Sequence, residues 1–301
     1  MHDIDRTIQI ATRRAQKFAV FAGAYGNVPA TQACIEDAKS KGCDLLAFIG
    51  DAIGCCGHSN EILDLIKEHI PICVAGNHEQ QAALNQTNCG CGYASKEDEI
   101  LGCQAFELAS KTLDHTHRLA LATWPDEKML DTALGGVLLC HGSPDQSNEF
   151  LYESRLDSVR MERWLQERDV VGFICTHTGL PWIRRVGDAG FAVNCGVVGK
   201  PDHDGEQCVH YAIVECSAAD TVAITIESVA YDASGWARQL RQEGVPDIFI
   251  TPLETGGWTA GLNSLPEFER SLRRIRQPPR MVMPIPARNH RGQDGYIKRI
   301  V

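Results

Sequence analysis

Residues 44–54 read DLLAFIGDAIG, an apolar run of strand length that ends in a glycine and an aspartate. Two further runs of the same kind, KFAVFAGA (17–24) and PICVAG (71–76), lie on either side of it in the sequence. Each run is closed by a small residue, a pattern typical of a strand buried on both faces. The joining segments, VPATQACIEDAKSKG (28–42) and SNEILDLIKEH (59–69), show helical spacing. Two successive strand–helix–strand units predict parallel strands in an α/β fold.

The second half of the chain contains patterns for strands of both directions. GGVLLCH (135–141) and VVGFICTH (170–177) resemble the first three runs, and a helical pattern lies between them near residues 154–168. Residues 182–231 contain two strand–turn–strand patterns, which predict two antiparallel hairpins. We therefore expect an α/β fold in which two mixed β-sheets pack as a sandwich flanked by helices.

Three segments of the chain differ in character. Residues 1–16 are expected to form an N-terminal arm, residues 17–255 the folded domain, and residues 256–301 a basic, proline-rich C-terminal extension. Within the domain, residues 86–128 interrupt the strand pattern and are expected to form a cap or insertion. Residues 267–301 carry nine arginines or lysines against three acidic residues. The extension could lie on the domain, bind a protein partner, or present a solvated basic face.

Composition argues against several classes of function. The formal net charge of −10 argues against a protein that binds nucleic acid by neutralising its phosphates. No apolar stretch reaches the roughly 18 residues that a membrane span needs, and the first residues do not form the apolar segment of a signal peptide. We expect a cytoplasmic protein with no membrane partner, whose 13 cysteines are mainly reduced thiols.

Side chains able to bind a metal follow four of the predicted strands. They are Asp51 in IGDAIG, Asn77 and His78 in VAGNHE, His141 in LLCHGSP, and His177 in ICTHTGLP. Open α/β sheets place their sites at the carboxyl ends of their strands, so these side chains should converge. Each residue alone could merely cap a helix or bind a backbone carbonyl. Together, a carboxylate, an amide and imidazoles suit a first-row divalent metal ion.

Five short motifs occur in a fixed order: GAYGN (23–27), GDAIGCCG (50–57), GNHE (76–79), CHGS (140–143) and THTG (176–179). They resemble the motifs D-x-H-G-N, G-D-x-x-x-x-G, G-N-H-[DE], x-H-G and G-H-T-H of the calcineurin-like metallophosphoesterases. Within that superfamily the resemblance is strongest to the small bacterial phosphodiesterase and diadenosine-polyphosphatase branch. The resemblance covers about residues 17–250.

The resemblance implies a site for two metal ions, of which this chain keeps one half. Asp51 matches the family's bridging aspartate. Asn77, His141 and His177 match the other ligands of one of the two ions. The resemblance therefore implies one divalent ion (manganese, iron, zinc or magnesium) held by these four residues.

The other half of the implied site has lost its ligands. Gly23, Tyr25 and Gly179 occupy the positions that hold the second ion in the family, and none of them is a normal metal ligand. The Tyr25 hydroxyl could donate to a phosphoryl oxygen in place of the missing cation. Alternatively, the Tyr25 ring only fills the space between two glycines.

Two further expectations concern residues near the implied site. His78 matches the family's catalytic histidine and could protonate a leaving oxygen. Cys55, Cys56 and His58 could rebuild the lost half with soft ligands, which would select zinc.

Three hypotheses for function follow from these residues. The first is a phosphoesterase with one retained metal, altered or reduced activity, and a phosphate-containing small molecule as substrate, either a phosphodiester or a nucleotide-like compound. The second is an inactive pseudo-phosphoesterase that binds a phosphate ligand or a protein partner. The third is a thiol-based sensor that uses Cys89 and Cys91.

Overall fold

The computed structural model describes residues 15–217, 220–271 and 279–285 of the chain. Its strands are β1 (Lys17–Phe21), β2 (Leu45–Ile49), β3 (Ile72–Val74), β4 (Glu127–Thr132), β5 (Gly135–Cys140), β6 (Gly172–Cys175), β7 (Trp182–Val186), β8 (Gly190–Asn194), β9 (Val209–Ser217), β10 (Thr221–Val229) and β11 (Arg280–Pro284). Its α-helices are α1 (Val28–Ser40), α2 (Ser59–His69), α3 (Asn77–Ala83), α4 (Lys96–Thr112), α5 (His115–Leu121), α6 (Ser158–Glu167), α7 (Ala233–Gln242), α8 (Asp247–Thr255) and α9 (Glu267–Arg270). Short 3₁₀ turns lie at Glu153–Arg155 and Leu262–Ser264.

Two mixed sheets form the centre of the fold, as the sequence predicts. The first has the strand order β11-β10-β9-β1-β2-β3, in which β1, β2 and β3 are parallel and every neighbouring pair from β11 to β1 is antiparallel. The second has the order β4-β5-β6-β8-β7, in which β5, β6 and β8 are parallel. The hairpins β7–β8 and β9–β10 are the two that the sequence predicts.

Alternation of side chains along the strands divides the core into layers. Phe18 of β1 belongs to the cluster between the sheets, together with Val193 of β8 and Ile224 of β10. Phe21, on the opposite face of β1, packs with Ile35 of α1. Burying each such side chain contributes roughly 1.5–3 kcal/mol to folding. The central strands are therefore fixed from both faces, and so are the loops at their ends.

Polar residues begin several of the helices. Ser95 precedes α4, Asp157 precedes α6 and Asp232 precedes α7. Each side chain accepts a hydrogen bond from a backbone N–H group in the first turn of its helix. These bonds satisfy donors that the helix itself cannot pair.

The sequence pattern does not predict three of the elements. Strand β4 overlaps the end of the segment 86–128, and β11 pairs with the edge strand β10. Helix α8 contains Pro252, a residue that disfavours helix interiors. Ile250 and Leu253 of α8 pack with Trp236 of α7, and this burial offsets the proline.

Parts of the predicted segments lie outside the described residues. This applies to residues 1–14 of the expected arm and to most of the C-terminal extension beyond residue 271. Across the described ranges, no helix is both long enough and apolar enough to cross a membrane.

Asn27 joins the first strand–helix turn to the segment that precedes β9. Its side chain is fully buried, and its Oδ1 accepts a hydrogen bond from the backbone N–H of Ala30 at 3.2 Å. Its Nδ2 donates to the carbonyl of Gly199 at 2.9 Å and to the hydroxyl of Tyr231 at 3.0 Å. The amide therefore caps α1 and fixes the turn relative to residue 199.

We predict that Asn27→Ala lowers the free energy of unfolding by about 2–4 kcal/mol, because it removes a helix cap and leaves buried groups unpaired. Urea denaturation followed by circular dichroism measures this change. Asn263→Ala, at an exposed position, serves as the control and should change stability by less than about 0.5 kcal/mol. Equal stability of the two variants would contradict this role for Asn27.

Candidate metal centre

Four polar residues lie at the carboxyl ends of strands from both sheets. Asp51 follows β2, Asn77 begins α3 after β3, His141 follows β5, and His177 lies just after β6. All four are buried, with exposed fractions of 3%, 2%, 1% and 7%, respectively. The ligand atoms of Asp51, His141 and His177 lie within 4.8 Å of one another. The two sheets therefore bring these three residues to one buried point.

Hydrogen bonds to the backbone orient both imidazoles. Nδ1 of His141 donates to the carbonyl of Ile49 at 2.7 Å, and Nε2 of His177 donates to the carbonyl of Cys91 at 3.1 Å. Nε2 of His141 and Nδ1 of His177 then face each other at 3.2 Å, within hydrogen-bond distance, and in the neutral rings each of these nitrogens carries a lone pair. Oδ2 of Asp51 lies 3.3 Å from the same Nε2 of His141. Three electron-pair donors thus converge, an arrangement that a bound cation stabilises.

Asn77 adds a fourth oxygen donor. Its Nδ2 donates to the carbonyl of Cys89 at 2.7 Å and contacts Sγ of Cys91 at 3.3 Å. Its Oδ1 is buried and has no hydrogen-bond partner among the groups that the structure describes. An unpaired buried acceptor costs roughly 1–3 kcal/mol, and a metal ion would satisfy it.

The charges of the cluster affect one another strongly. Burial raises the pKa of Asp51, but the nearby His141 and His78 outweigh this effect and hold it below its usual value. Burial lowers the pKa of His141, but the Asp51 carboxylate outweighs this effect and holds it above its usual value. Burial and the neighbouring His141 lower the pKa of His177 to about 3. His177 is therefore neutral near pH 7, as a metal ligand must be.

A buried carboxylate holds the two strand-end turns together. Glu79 is fully buried and accepts three backbone hydrogen bonds, from Asp51 at 2.7 Å, Ala52 at 2.9 Å and Gly76 at 2.8 Å. A Cβ atom on Gly50 would lie 2.4 Å from the backbone nitrogen of Gly76, so the two turns meet backbone to backbone. Position 50 must therefore be glycine. The Glu79 carboxylate accepts hydrogen bonds from the N–H groups that this backbone contact buries.

Non-glycine residues of the site adopt left-handed backbone conformations. Asp51 has φ = 61°, His177 has φ = 60° and Tyr25 has φ = 51°. Such conformations cost energy for side chains of this kind and concentrate at functional sites.

The turn opposite Asp51 offers no metal ligand. A Cβ atom on Gly23 would lie 2.3 Å from Cγ1 of Val197, so a longer side chain is excluded there without rearrangement. A Cβ atom on Gly179 would lie 3.4 Å from the ring of Trp258. Burial raises the pKa of Tyr25 well above its usual value, so its hydroxyl stays protonated. Val197 therefore packs against Gly23 and Trp258 against Gly179, with the neutral phenol of Tyr25 beside them.

The alternative site expected at residues 55–58 does not form. The two ring nitrogens of His58 bind the carboxylates of Glu61 and Glu243. Cys56 is buried in the apolar cluster of α7 and α8. His58 therefore joins two helices instead of binding a metal.

A cavity of about 100 Å³ opens beside the ligand cluster. Its wall includes Asp51, His78 and His177, and the remainder is largely aromatic and apolar. Residues of the expected cap and of the C-terminal segment also line it. Tyr93 and Leu101 belong to the expected cap, Trp258 and Leu265 belong to the C-terminal segment, and Phe150, Tyr152 and Phe249 of the domain complete this part of the wall.

A short loop covers the ligands on one side. Cys89 and Cys91 are joined by a disulfide. Their carbonyl groups accept the hydrogen bonds from Asn77 and His177 already described, and Sγ of Cys91 lies 3.4 Å from Nε2 of His78. The loop thus orients two of the four ligands.

The sequence matches a family model that fits this geometry. The model for calcineurin-like phosphoesterases matches residues 1–211, well over half of the chain. The chain belongs to this family. Calcineurin-like phosphoesterases use divalent metal ions, so the strand-end cluster is a candidate metal centre of that family.

Solved structures show the same fold. A metallophosphoesterase from Sphaerobacter thermophilus is similar with a TM-score of 0.62 and 22% identity, and the match covers 81% of this chain and 100% of that one. The hypothetical protein PH1004 from Pyrococcus horikoshii OT3 is similar with a TM-score of 0.64 and 17% identity, covering 80% and 99%, respectively. At these identities the likeness supports the fold alone. A comparison with curated proteins found no match.

The residues present fit a divalent ion. The facing nitrogens of His141 and His177, the carboxylate of Asp51 and the unpaired Oδ1 of Asn77 form a nitrogen and oxygen donor set. Backbone carbonyls accept the hydrogen bonds from the other ring nitrogens and from the Asn77 amide nitrogen, so the four donor atoms face one another.

Sequence reasoning missed several residues of the site. Glu79 belongs to the quoted GNHE motif, but nothing in the motif shows that it joins two turns. Lys200 and Trp258 line the cavity, although Trp258 belongs to a segment without regular periodicity. The glycine-rich spacing around Cys89 and Cys91 indicates a loop, but does not show that it contacts the metal ligands.

We predict that Glu79→Ala lowers the free energy of unfolding by about 3–5 kcal/mol, because three buried N–H groups lose their acceptor. It should also weaken divalent-metal binding by about 10–100-fold, because the turn that carries Asp51 loosens. Calorimetry and urea denaturation measure these two effects.

Glu107→Ala provides the control on an exposed face of α4, where Glu107 pairs with Lys111. This variant should bind metal like the wild type and lose less than about 0.5 kcal/mol of stability. Normal metal binding by a folded Glu79→Ala variant would contradict the bracing role.

Proposed function

We propose that the protein is a metal-dependent phosphoesterase that hydrolyses a phosphodiester or a nucleotide-like substrate. In this proposal one divalent ion is held by Asp51, Asn77, His141 and His177. The observation that carries the proposal is the convergence of Nε2 of His141, Nδ1 of His177 and the Asp51 carboxylate at one buried point, beside the unpaired Oδ1 of Asn77. A divalent ion would take the place of the proton that otherwise joins these groups, and it would also satisfy the unpaired Oδ1 of Asn77.

A divalent ion bound there would act as a Lewis acid on the phosphoryl group. His78 supports the reaction from the side of the cavity. Its Nδ1 donates to the carbonyl of Ile53 at 2.8 Å, so its Nε2 faces the other way, towards Cys91. Since His78 lines the cavity, its imidazolium form could give the Nε2 proton to the leaving oxygen of the substrate and keep the Nδ1 proton on the Ile53 carbonyl.

Tyr25 supplies a second donor in the cavity wall. Because burial keeps its hydroxyl protonated, Tyr25 can donate a hydrogen bond to a phosphoryl oxygen. A neutral hydrogen bond replaces only part of the stabilisation that a second metal ion would provide. We therefore infer slower hydrolysis than at a two-metal site.

The cavity favours a phosphoryl group attached to a larger organic group. Its volume of about 100 Å³ is small beside the roughly 300–1,000 Å³ of most ligand pockets. The rings of Phe150 and Tyr152 are stacked with centroids 5.6 Å apart, and Tyr93 lies 5.5 Å from Phe150. A base or another flat group of the substrate could pack against these rings while its phosphate enters the cavity.

A second candidate function is phosphate binding without hydrolysis. The observations that favour it are the close packing of Val197 against Gly23 and of Trp258 against Gly179. Val197 leaves no space for a ligand side chain at position 23, and the indole of Trp258 lies in contact with position 179.

Metal content and hydrolysis together test the proposal. We predict about one equivalent of divalent metal per chain, and hydrolysis of bis(p-nitrophenyl) phosphate that is lost on chelation and restored by adding metal. Asp51→Asn should lower kcat by at least about 100-fold, because it removes the charged ligand. His115→Ala, at an exposed position outside the site, should leave both readouts unchanged.

The two candidate functions differ in this experiment. Metal-loaded protein that binds inorganic phosphate but hydrolyses neither phosphodiesters nor phosphomonoesters would favour the binding function. Protein that takes up no metal and hydrolyses no ester would contradict the phosphoesterase, and phosphate binding that survives Asp51→Asn without hydrolysis would favour the binding function.

A further inference from the structure

The backbone of the segment before Lys200 pairs with the turn that lacks metal ligands. The N–H of Val198 donates to the carbonyl of Ala22 at 2.8 Å, and the N–H of Gly199 donates to the carbonyl of Gly23 at 2.8 Å. These bonds extend the contact between the two segments beyond the ends of the strands. Lys200 therefore leaves the backbone beside the turn that lacks metal ligands.

The Lys200 side chain lies against aromatic rings of the cavity wall. Its Nζ lies 3.6 Å from the ring centroid of Trp258 and 5.7 Å from that of Tyr25. Trp258 is held in place, because its Nε1 donates to the carbonyl of Pro201 at 2.6 Å and its backbone N–H donates to Nδ1 of His203 at 2.8 Å. Cation–π attraction thus positions the ammonium group without neutralising its charge.

Lys200 is the one lysine or arginine among the described residues that line the cavity. It forms no ion pair with any side chain in the described part of the chain, although Cys55, Asp51 and Asp98 lie near enough to favour its charged form. Burial lowers the pKa of Lys200 to about 8, so most molecules carry the charge at pH 7. An unpaired cation that shares a small cavity with a metal centre is suited to binding an anion.

We propose that Lys200 is the fixed cation of the half-site that has lost its metal ligands, and that its ammonium group binds a phosphoryl oxygen of the ligand. The cavity would then hold the phosphate between the divalent ion at Asp51 and the ammonium at Lys200. This inference deepens the function proposed above and rests on it for the identity of the ligand as a phosphate group. It assigns Trp258 a positioning role, because its ring holds the ammonium in place.

Binding of inorganic phosphate to the metal-loaded protein tests this assignment. Lys200→Met keeps the length and the apolar stem of the side chain but removes its charge. We expect it to weaken phosphate binding in calorimetry by about 10–100-fold with unchanged metal content. Lys200→Arg should bind phosphate within about threefold of the wild type, because the charge is kept.

Lys39→Met is the matched control, because Lys39 is an exposed lysine on α1 that does not line the cavity. It should bind phosphate like the wild type. Phosphate binding by a folded Lys200→Met variant within about twofold of the wild type would overturn the assignment.

Chemical modification of the wild-type protein gives a second test that needs no substitution at Lys200. Acetic anhydride at pH 8 should acetylate Lys200, and inorganic phosphate should slow this reaction at least about threefold without affecting Lys39, as measured by peptide mass spectrometry. Equal rates of Lys200 acetylation with and without phosphate would overturn the assignment.

These readouts separate this inference from the proposed function. Wild-type protein that hydrolyses no ester, but whose phosphate binding depends on Lys200, would refute hydrolysis and support the fixed cation. Wild-type hydrolysis together with phosphate binding that does not depend on Lys200 would support the proposed hydrolysis and refute the role of Lys200.

Discussion

The structure of the site depends on two imidazole nitrogens that face each other at 3.2 Å beside a buried carboxylate. The other nitrogen of each ring is fixed by a backbone carbonyl, so neither ring can turn its N–H group inward without losing a buried hydrogen bond. A single proton can satisfy only part of this cluster, and it leaves the unpaired oxygen of Asn77 without a partner. A divalent ion satisfies all four donors, and at an effective dielectric constant of about 20 two opposite unit charges 4 Å apart attract by about 4 kcal/mol, which indicates the size of its attraction to Asp51.

The rest of the fold holds these donors in place. Strands from two sheets end at the same point, and Glu79 joins the turns after β2 and β3 through three hydrogen bonds. The left-handed backbone of Asp51 and His177 is maintained by this framework. The opposite half of the site is built differently, with Val197 and Trp258 against the glycines and a lysine on the indole ring. The two halves therefore differ in the kind of positive charge that they can offer to a phosphate.

Much of the fold could be predicted because each strand or helix pattern lies within a short stretch of the sequence. The apolar runs at residues 17–24 and 44–50 alternate with helical patterns, and glycines mark the strand ends at which Asp51 and His177 lie. The convergence of such residues follows from the parallel strands. In contrast, the contact of Trp258 with Lys200 joins segments more than fifty residues apart, and no periodicity in residues 256–265 predicts it. The hydrogen bonds from Asn77 and His177 to the carbonyls of Cys89 and Cys91 could not be predicted either, because every residue has a backbone carbonyl and the sequence does not show which one accepts a hydrogen bond.

Crystals grown with manganese would show whether one ion binds at the strand ends, because anomalous scattering locates the ion without reference to activity. We predict a single strong peak coordinated by Asp51, Asn77, His141 and His177, with no second peak beside Gly23, Tyr25 and Gly179. Two peaks of similar height, or one peak bound by other residues, would contradict it.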